Sequence, residues 1–180
     1  MKKLHIFEII AVAVLILILP IEVGHSSRPP MTEEGDGLLT IYNAHSHEFE
    51  TIEYKGIDGN YKLDGVSEIN RLMRCRLTNE TKIMSLRLIE LLDHIQDHFG
   101  AAEIEIVSGY RSPRLNAALR AKSRRVASKS LHMQGLAADI KIPGVPLKEI
   151  RQYALSLGAG GVGYYPGKFI HVDVGPVRKW

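Results

Sequence analysis

The most informative part of this chain for its fold is Ser130-Leu-His-Met-Gln-Gly-Leu-Ala-Ala-Asp-Ile-Lys-Ile142. Gly135 interrupts any helix through His132, and the residues after it alternate in polarity. Apolar side chains occupy every second position, at Leu136, Ala138, Ile140 and Ile142. Since successive side chains of a strand point to opposite faces, this pattern predicts a strand with one buried face and Asp139 on the other.

A second stretch, Phe169-Ile-His-Val-Asp173, alternates in the same way. Its aliphatic side chains share one face, and His171 and Asp173 share the other. If the two strands are neighbours, they bury their aliphatic faces and present Asp139, His171 and Asp173 together. His132, in the loop before the first strand, is able to reach the same place.

Two imidazoles and a carboxylate suit a three-ligand zinc site, because catalytic zinc takes three protein ligands and leaves a fourth position for water. The alternative is that His171 and Asp173 form a polar sheet face and that His132 is a loop histidine. Spacing alone leaves both interpretations open. His94 and His98 are a second metal-ligand pair at i, i+4, but Ile95 stands where the H-E-x-x-H pattern requires glutamate. We interpret that pair as solvated or interface histidines.

The patterns in the rest of the chain predict a mixture of strands and helices. The patterns predict strands at 38–42, 48–54, 103–107, 160–165 and 168–174, and helices at 64–76, 82–99, from 113 onward and at 145–157. The sequence therefore predicts an α+β fold with helices packed on a mostly antiparallel sheet.

The N-terminus has the features of an export segment. Lys2 and Lys3 precede an apolar run from Ile9 to Leu19, which Pro20 ends. A charged start and a short apolar stretch are typical of a secretory signal, and the run is short for a full membrane span. We interpret residues 1–26 as a signal peptide or an uncleaved membrane anchor. Either outcome predicts a domain outside the cytoplasm, with membrane contact only through an uncleaved anchor.

Composition limits the number of domains, the charge of the partners and the use of disulfides. Residues 27–37 have the composition of a linker, and residues 38–180 suffice for one domain. The net charge of +3, with a pI of about 9.0, suits anionic surroundings such as a cell wall and is too small to indicate nucleic acid as a partner. Cys75 is the only cysteine in the sequence, which excludes an intramolecular disulfide.

A polar cluster, Val107-Ser-Gly-Tyr-Arg-Ser-Pro-Arg114, runs from a predicted strand through a glycine turn into a helix. Ser112 and Pro113 are typical of the first positions of that helix. Arg111 therefore lies at a rigid junction, where its planar guanidinium is able to clamp a carboxylate through two hydrogen bonds. The alternative is a buried arginine that holds the turn.

A basic run follows the cluster, at Arg120, Lys122, Arg124, Arg125 and Lys129. A solvated loop is the ordinary interpretation of such a run, and attraction of an anionic polymer is the other.

Three motifs together resemble the murein endopeptidase K family. They are Ser108-Gly-Tyr-Arg-Ser-Pro113, Ser130-Leu-His-Met-Gln-Gly135 with Asp139, and Gly160-Gly-Val-Gly-Tyr-Tyr-Pro166 with His171-Val-Asp173. That family belongs with the zinc D-Ala-D-Ala carboxypeptidases and the wider lysostaphin/carboxypeptidase/hedgehog-type metallopeptidases, and the resemblance extends from about Leu38 to Trp180. It implies a fold like that of the hedgehog and D-Ala-D-Ala peptidase domains. It also implies a zinc peptidase of the periplasm or cell envelope that hydrolyses peptide cross-links of peptidoglycan.

The resemblance also implies roles for individual residues. His132, Asp139 and His171 would be the ligands of Zn²⁺. Arg111 would be the substrate-binding arginine, and Ser130 the site serine just before the first ligand.

The identity of the general base stays open. Relatives that carry a catalytic glutamate place it three residues before the last ligand, and this chain has Lys168 there. Asp173 is our candidate for the catalytic base, because two residues along a strand return it to the face of His171. Its alternative role is that of a carboxylate that orients a ligand histidine.

Two other classes of function remain possible at the level of sequence. One is a non-catalytic zinc-binding domain for cell-wall recognition, which the missing glutamate keeps open. The other is a wall-binding module without metal, which would use the basic run and Tyr164-Tyr165 as its surface.

Overall fold

A seven-stranded sheet organises residues 35–180, the part of the chain that the computed structural model describes. The strands are β1 (Leu38–Asn43), β2 (Phe49–Glu53), β3 (Ile104–Ser108), β4 (Ala137–Lys141), β5 (Gly161–Tyr165), β6 (Phe169–Asp173) and β7 (Arg178–Lys179). Their order in the sheet is β2-β1-β3-β4-β6-β5-β7. Neighbours run antiparallel except for the pairs β1–β3 and β5–β7. The predicted α+β fold with a mostly antiparallel sheet is confirmed.

Four helices connect the strands of this sheet. They are α1 (Leu63–Leu72), α2 (Leu86–His98), α3 (Pro113–Lys122) and α4 (Leu147–Ser156). A short 3₁₀ turn, Leu131–Gln134, precedes β4. The N-cap predicted for α3 is present, since the Ser112 hydroxyl accepts a hydrogen bond from the backbone N–H of Leu115 at 3.2 Å. The sequence patterns predict neither the 3₁₀ turn nor β7.

The hydrophobic core lies between the sheet and the helices α1, α2 and α4. From the two central strands it takes Ala138, Ile140, Ile170 and Val172, all fully buried. Burial of a side chain of this size stabilises the fold by about 1.5–3 kcal/mol relative to exposure, so this face of β4 and β6 is strongly specified.

The register between β4 and β6 positions the polar residues of the opposite face. Asp139 pairs directly with His171, and Ala137 pairs with Asp173. Directly paired residues of antiparallel strands have their side chains about 5 Å apart on one face. The predicted proximity of Asp139 and His171 therefore follows from backbone pairing alone.

Residues 35–37, at the end of the predicted linker, contact the domain. The backbone N–H of Asp36 donates to Asp97 at 2.8 Å, and that of Gly37 donates to Asp93 at 3.1 Å. The predicted signal or anchor, residues 1–26, lies outside the described residues. Among residues 35–180, no helix combines the length and the apolar character needed to span a membrane.

One charged side chain is fully buried at this end of the domain. Asp93 on α2 accepts hydrogen bonds from the Tyr54 hydroxyl at 2.7 Å and from the Gly37 backbone. Burial raises the pKa of Asp93 to about 6, and the nearby Asp97 and Asp36 add to the rise. At neutral pH the fold therefore holds an ionised carboxylate in a place that favours the neutral form.

We expect Asp93→Asn to change how stability depends on pH. The pKa of this carboxyl group is about 6 in the folded chain and 3.8 ordinarily. The protonated group therefore stabilises the fold fully below pH 3.8, and this stabilisation is lost as the pH rises through about 6. The unaltered protein should lose up to about 3 kcal/mol relative to Asp93→Asn across this window. Denaturant unfolding at several pH values measures the difference. Asp64→Asn, at an exposed carboxylate of α1, is the control, and identical pH profiles for the protein and Asp93→Asn would contradict the assignment.

Candidate metal centre

Three potential ligand atoms converge on the face of the sheet opposite the core. Oδ1 of Asp139 lies 3.2 Å from Nε2 of His132 and 2.9 Å from Nδ1 of His171. The two imidazole nitrogens lie 3.2 Å from each other. All three residues are buried. The structure thus brings together the three predicted metal ligands.

His132 is held in place by the 3₁₀ turn before β4. The turn ends at Gly135, whose φ of +72° is a left-handed conformation that favours glycine. A Cβ at this position would also meet the backbone oxygen of Ile83 at 2.4 Å. Behind the ring, Nδ1 of His132 lies 2.8 Å from the carbonyl oxygen of Gly109. Because a carbonyl only accepts, Nδ1 carries the proton and Nε2 presents its lone pair to the site.

His171 is oriented from behind by a carboxylate. Its Nε2 lies 3.1 Å from Oδ2 of Asp173, while its Nδ1 faces Asp139. Burial alone would lower the pKa of His171, but the hydrogen bonds to Asp139 and Asp173 outweigh it and raise that pKa. Burial lowers the pKa of His132, whose outer partner is a neutral carbonyl. The two histidines therefore differ in basicity, because burial dominates for His132, whereas the carboxylates of Asp139 and Asp173 dominate for His171.

The donor set and its spacing fit a divalent cation. Three atoms bound at 2.0–2.1 Å around a tetrahedral zinc ion lie about 3.3 Å apart, close to the separations in this site. With the outer nitrogens of His132 and His171 donating to Gly109 and Asp173, both inner lone pairs point at a carboxylate oxygen. Three acceptors that converge in this way need a proton or a cation between them. Two imidazoles and a carboxylate favour zinc among the common divalent metals.

Asp173 is enclosed by hydrogen-bond donors. Its Oδ1 accepts from the backbone N–H of Gly161 at 3.0 Å and of Gly175 at 2.8 Å. Arg178 donates to Oδ2 at 2.7 Å and to Oδ1 at 3.3 Å. Burial alone would raise the pKa of Asp173, but the hydrogen bonds from His171 and the two glycine amides lower it below its ordinary value. The carboxylate is therefore ionised, and it lies behind the His171 ring rather than beside the inner ligand atoms.

Arg111 contacts the metal-ligand cluster directly. Its Nη2 donates to Oδ2 of Asp139, and its Nε donates to the Ser108 hydroxyl at 2.9 Å. A register irregularity in β3 between Ile106 and Ser108 brings Ser108 opposite Asp139; such bulges are frequent beside functional sites. Burial alone would raise the pKa of Asp139, but His132, His171 and Arg111 hold it well below its ordinary range.

Ser130 and Lys168 lie at the edge of this arrangement. Ser130 is buried immediately before the 3₁₀ turn, and its hydroxyl makes no hydrogen bond within residues 35–180. Lys168, three residues before His171, is exposed in the turn between β5 and β6. Its backbone N–H donates to the carbonyl of Tyr165 at 2.9 Å.

Trp180 lines the site but is not predicted by the sequence patterns. Its indole ring lies 5.2 Å from the His171 ring, and Arg178 lies over its face at 5.1 Å. The indole also covers Gly163, where a Cβ would come within 2.6 Å of it, and its Nε1 donates to the Tyr165 hydroxyl at 3.1 Å. The alternation of neighbouring segments cannot reveal these contacts, because they depend on the pairing of β7 with β5.

The second histidine pair does not form a metal site with a third residue of the described chain. His94 is buried on α2, which corrects the prediction of a solvated or interface side chain for this residue. Its helix presents that position to the interior. The His98 ring stacks on Tyr153, with centroids 3.5 Å apart.

An α+β fold whose sheet presents two histidines and a carboxylate from adjacent elements fits a metallopeptidase domain. Comparison with known proteins agrees with this class. Residues 32–180 match the family described as peptidoglycan L,D-endopeptidase MepK, and the chain belongs to this family. The resemblance to the murein endopeptidase K family is confirmed.

Individual relatives are similar over most of their length. The peptidoglycan L,D-endopeptidase MepK of Escherichia coli (strain K12) is 40% identical over 146 residues, which cover 79% of each protein. The probable peptidoglycan L,D-endopeptidase MepK of Haemophilus influenzae is 42% identical over 146 residues, which cover 79% of this chain and 78% of the relative. The predicted enzyme class, a peptidase, is confirmed.

We expect zinc binding to change the fluorescence of this protein. Trp180 is the single tryptophan of the sequence, and its indole lies against the ring of His171. A cation bound by Nδ1 of His171 would alter the field at the indole and fix the ring beside it. A zinc titration of chelator-treated protein should therefore shift or quench the emission with one-to-one stoichiometry. His132→Ala, which removes a candidate ligand other than the histidine beside the indole, is expected to weaken the response. A full response in that variant would contradict the three-ligand site.

Proposed function

We propose that this chain is an exported, zinc-dependent peptidase that hydrolyses L,D peptide bonds in the cross-links of peptidoglycan. The observation that carries the proposal is the convergence of three ligand atoms from His132, Asp139 and His171 within 3.2 Å of one another. The names of the relatives support peptidoglycan and the L,D bond. The charged and apolar N-terminal sequence supports export to the periplasm or cell envelope.

In this proposal His132, Asp139 and His171 hold the zinc ion. Zinc in such a site lowers the pKa of a bound water to about 7 and polarises a carbonyl group. The hydrogen bonds from the outer nitrogens to Gly109 and Asp173 leave the inner nitrogen of each imidazole facing the site. The Arg111 guanidinium helps to keep Asp139 ionised.

Arg111 has two tasks in the proposed mechanism. Through Nε and Nη2 it fixes Asp139 and Ser108, which sets the position of the carboxylate ligand. Its Nη1 makes no hydrogen bond within residues 35–180, and it is therefore available to a substrate carboxylate. The stem peptides of peptidoglycan carry such carboxylates. Ser130 borders the same space with a free hydroxyl, and we assign it to substrate binding.

Asp173 is proposed to orient His171 rather than to act as the general base. A general base must reach the proton that it removes, within about 3 Å or through one water. The Asp173 side chain has 0% exposure, and its oxygens already accept from Gly161, Gly175, Arg178 and His171. A carboxylate behind a ligand histidine fixes the tautomer and the direction of the ring. Arg178 holds that carboxylate in turn.

Digestion of purified peptidoglycan tests the proposed function. We expect new soluble products that disappear with a chelator and return with zinc, and whose masses place the cut at an L,D bond. His171→Ala, which lacks a ligand, is the control for contaminating hydrolases. Intact peptidoglycan in the presence of stoichiometric zinc would instead favour a recognition domain without catalysis.

The role of Asp173 is tested by Asp173→Asn. If Asp173 orients His171, the substitution should weaken zinc binding by about 10–100-fold, and excess zinc should restore much of the activity. Competition with a chromophoric chelator measures the affinity, independently of turnover. Arg178→Gln is expected to produce the same change to a smaller degree. If Asp173 is instead the base, zinc affinity stays unchanged and kcat falls at every zinc concentration.

A further inference from the structure

One segment of the chain concentrates positive charge without any negative charge. Residues 113–129, which we name the basic excursion, contain six basic residues and no acidic ones: Arg114, Arg120, Lys122, Arg124, Arg125 and Lys129. The net charge of the whole chain is only +3, so the remainder carries more acidic than basic residues. The positive charge of this protein is therefore local, and its small net value hides the asymmetry.

The basic excursion begins and ends at the metal centre. It leaves the site after Arg111, runs through α3 and the following loop, and returns at Ser130. The backbone N–H of Arg111 donates to the carbonyl of His132 at 3.2 Å, which joins the two ends. The Asn116 side chain donates to the carbonyl of Ala127 at 3.1 Å, which ties the loop to its helix. Both ends of the basic excursion therefore lie beside the candidate metal ligands.

All six basic side chains of the excursion are exposed, and none forms an ion pair with any residue of 35–180. Several other arginines and lysines of the described chain are paired: Arg71 contacts Glu48, Glu50 and Glu68, and Lys141 contacts Glu105 at 2.9 Å. Within residues 35–180, the absence of acidic partners leaves the charge of the excursion uncompensated.

An uncompensated cluster of cations attracts anions to the surface that carries it. Such a surface raises the local concentration of an anionic partner and its rate of association, and salt weakens the effect. Pairing with several carboxylates in succession would satisfy cations that are spread along a helix and a loop. A polymer with regularly repeated carboxylates fits this requirement better than a single small anion.

We propose that the basic excursion is a docking surface for intact peptidoglycan, which it holds through the carboxylates of stem peptides that are not being cut. This inference rests on the proposed function, since it places the polymer beside the site that cleaves it. Both ends of the excursion adjoin the metal ligands, so a strand bound along the excursion lies next to the scissile peptide. The surface is separate from the residues assigned to hydrolysis.

The test compares two variants with equal loss of charge. Arg124→Gln/Arg125→Gln removes two cations of the excursion. Lys82→Gln/Lys148→Gln removes two exposed cations elsewhere that have no ion pair within residues 35–180. The zinc-loaded enzyme and both variants are sedimented with insoluble sacculi in the cold, and their cleavage of soluble cross-linked muropeptides is measured separately.

We expect the excursion variant to bind sacculi about fivefold more weakly at low salt, as the loss of two exposed ion pairs implies, and the control to bind normally. The difference should vanish at about 0.5 M salt, where exposed charges are screened. Cleavage of muropeptides should be unchanged in both variants. Failure of all three proteins to cleave muropeptides, with the binding difference intact, would support the docking surface while refuting the proposed function.

Two results would overturn the docking surface. One is unaltered sacculus binding by the excursion variant; if that variant also binds more weakly to vesicles that contain phosphatidylglycerol, the excursion is assigned to an anionic membrane surface instead. The other is an equal loss of sacculus binding in both variants, which would reflect net charge rather than this segment.

Discussion

The register between β4 and β6 is the constraint on which the site depends. Asp139 faces His171 because their strands pair directly at these residues, and the same register pairs Ala138 with Val172 on the core face. A slip of one residue would turn the aliphatic side chains to the outside and the polar side chains into the core. Since the four apolar residues on the core face of these strands are fully buried, the energy that stabilises the core also fixes the distance between two candidate metal ligands.

Pairing of strands places the ligands, but hydrogen bonds behind them set their chemistry. A backbone carbonyl fixes the tautomer of His132, and a carboxylate fixes that of His171. Both partners belong to rigid parts of the fold: Gly109 follows β3 directly, and Asp173 ends β6. These partners fix the ring orientations, so the inner nitrogens face the space between the candidate ligands. This preorganisation is what distinguishes a metal centre from a polar face that merely contains histidines.

The sequence predicts much of this arrangement because strand alternation is a local property. Period two along β4 and β6 is sufficient to put Asp139, His171 and Asp173 on one face, and the family motifs add His132 and Arg111. Alternation predicts which face of the sheet carries Asp173 but not where its carboxylate lies relative to the His171 ring. It therefore cannot distinguish a general base from a carboxylate that orients this ring. Arg178 and Trp180 are not predicted for another reason. Arg178 lies in β7, a strand of two residues without periodicity, and Trp180 follows this strand directly. The position of β7 depends on its parallel pairing with β5.

Charge compensation links the buried site to its exposed surroundings. Each carboxylate of the site has its own arginine, since Arg111 pairs with Asp139 and Arg178 with Asp173. These four charges balance, so a divalent cation held by Asp139 and two neutral imidazoles would give the centre a net positive charge. An anionic peptide is then attracted to the centre rather than repelled by its carboxylates. The basic excursion extends positive potential outward from Arg111. The surface and the centre would therefore attract an anionic substrate by charges of the same sign.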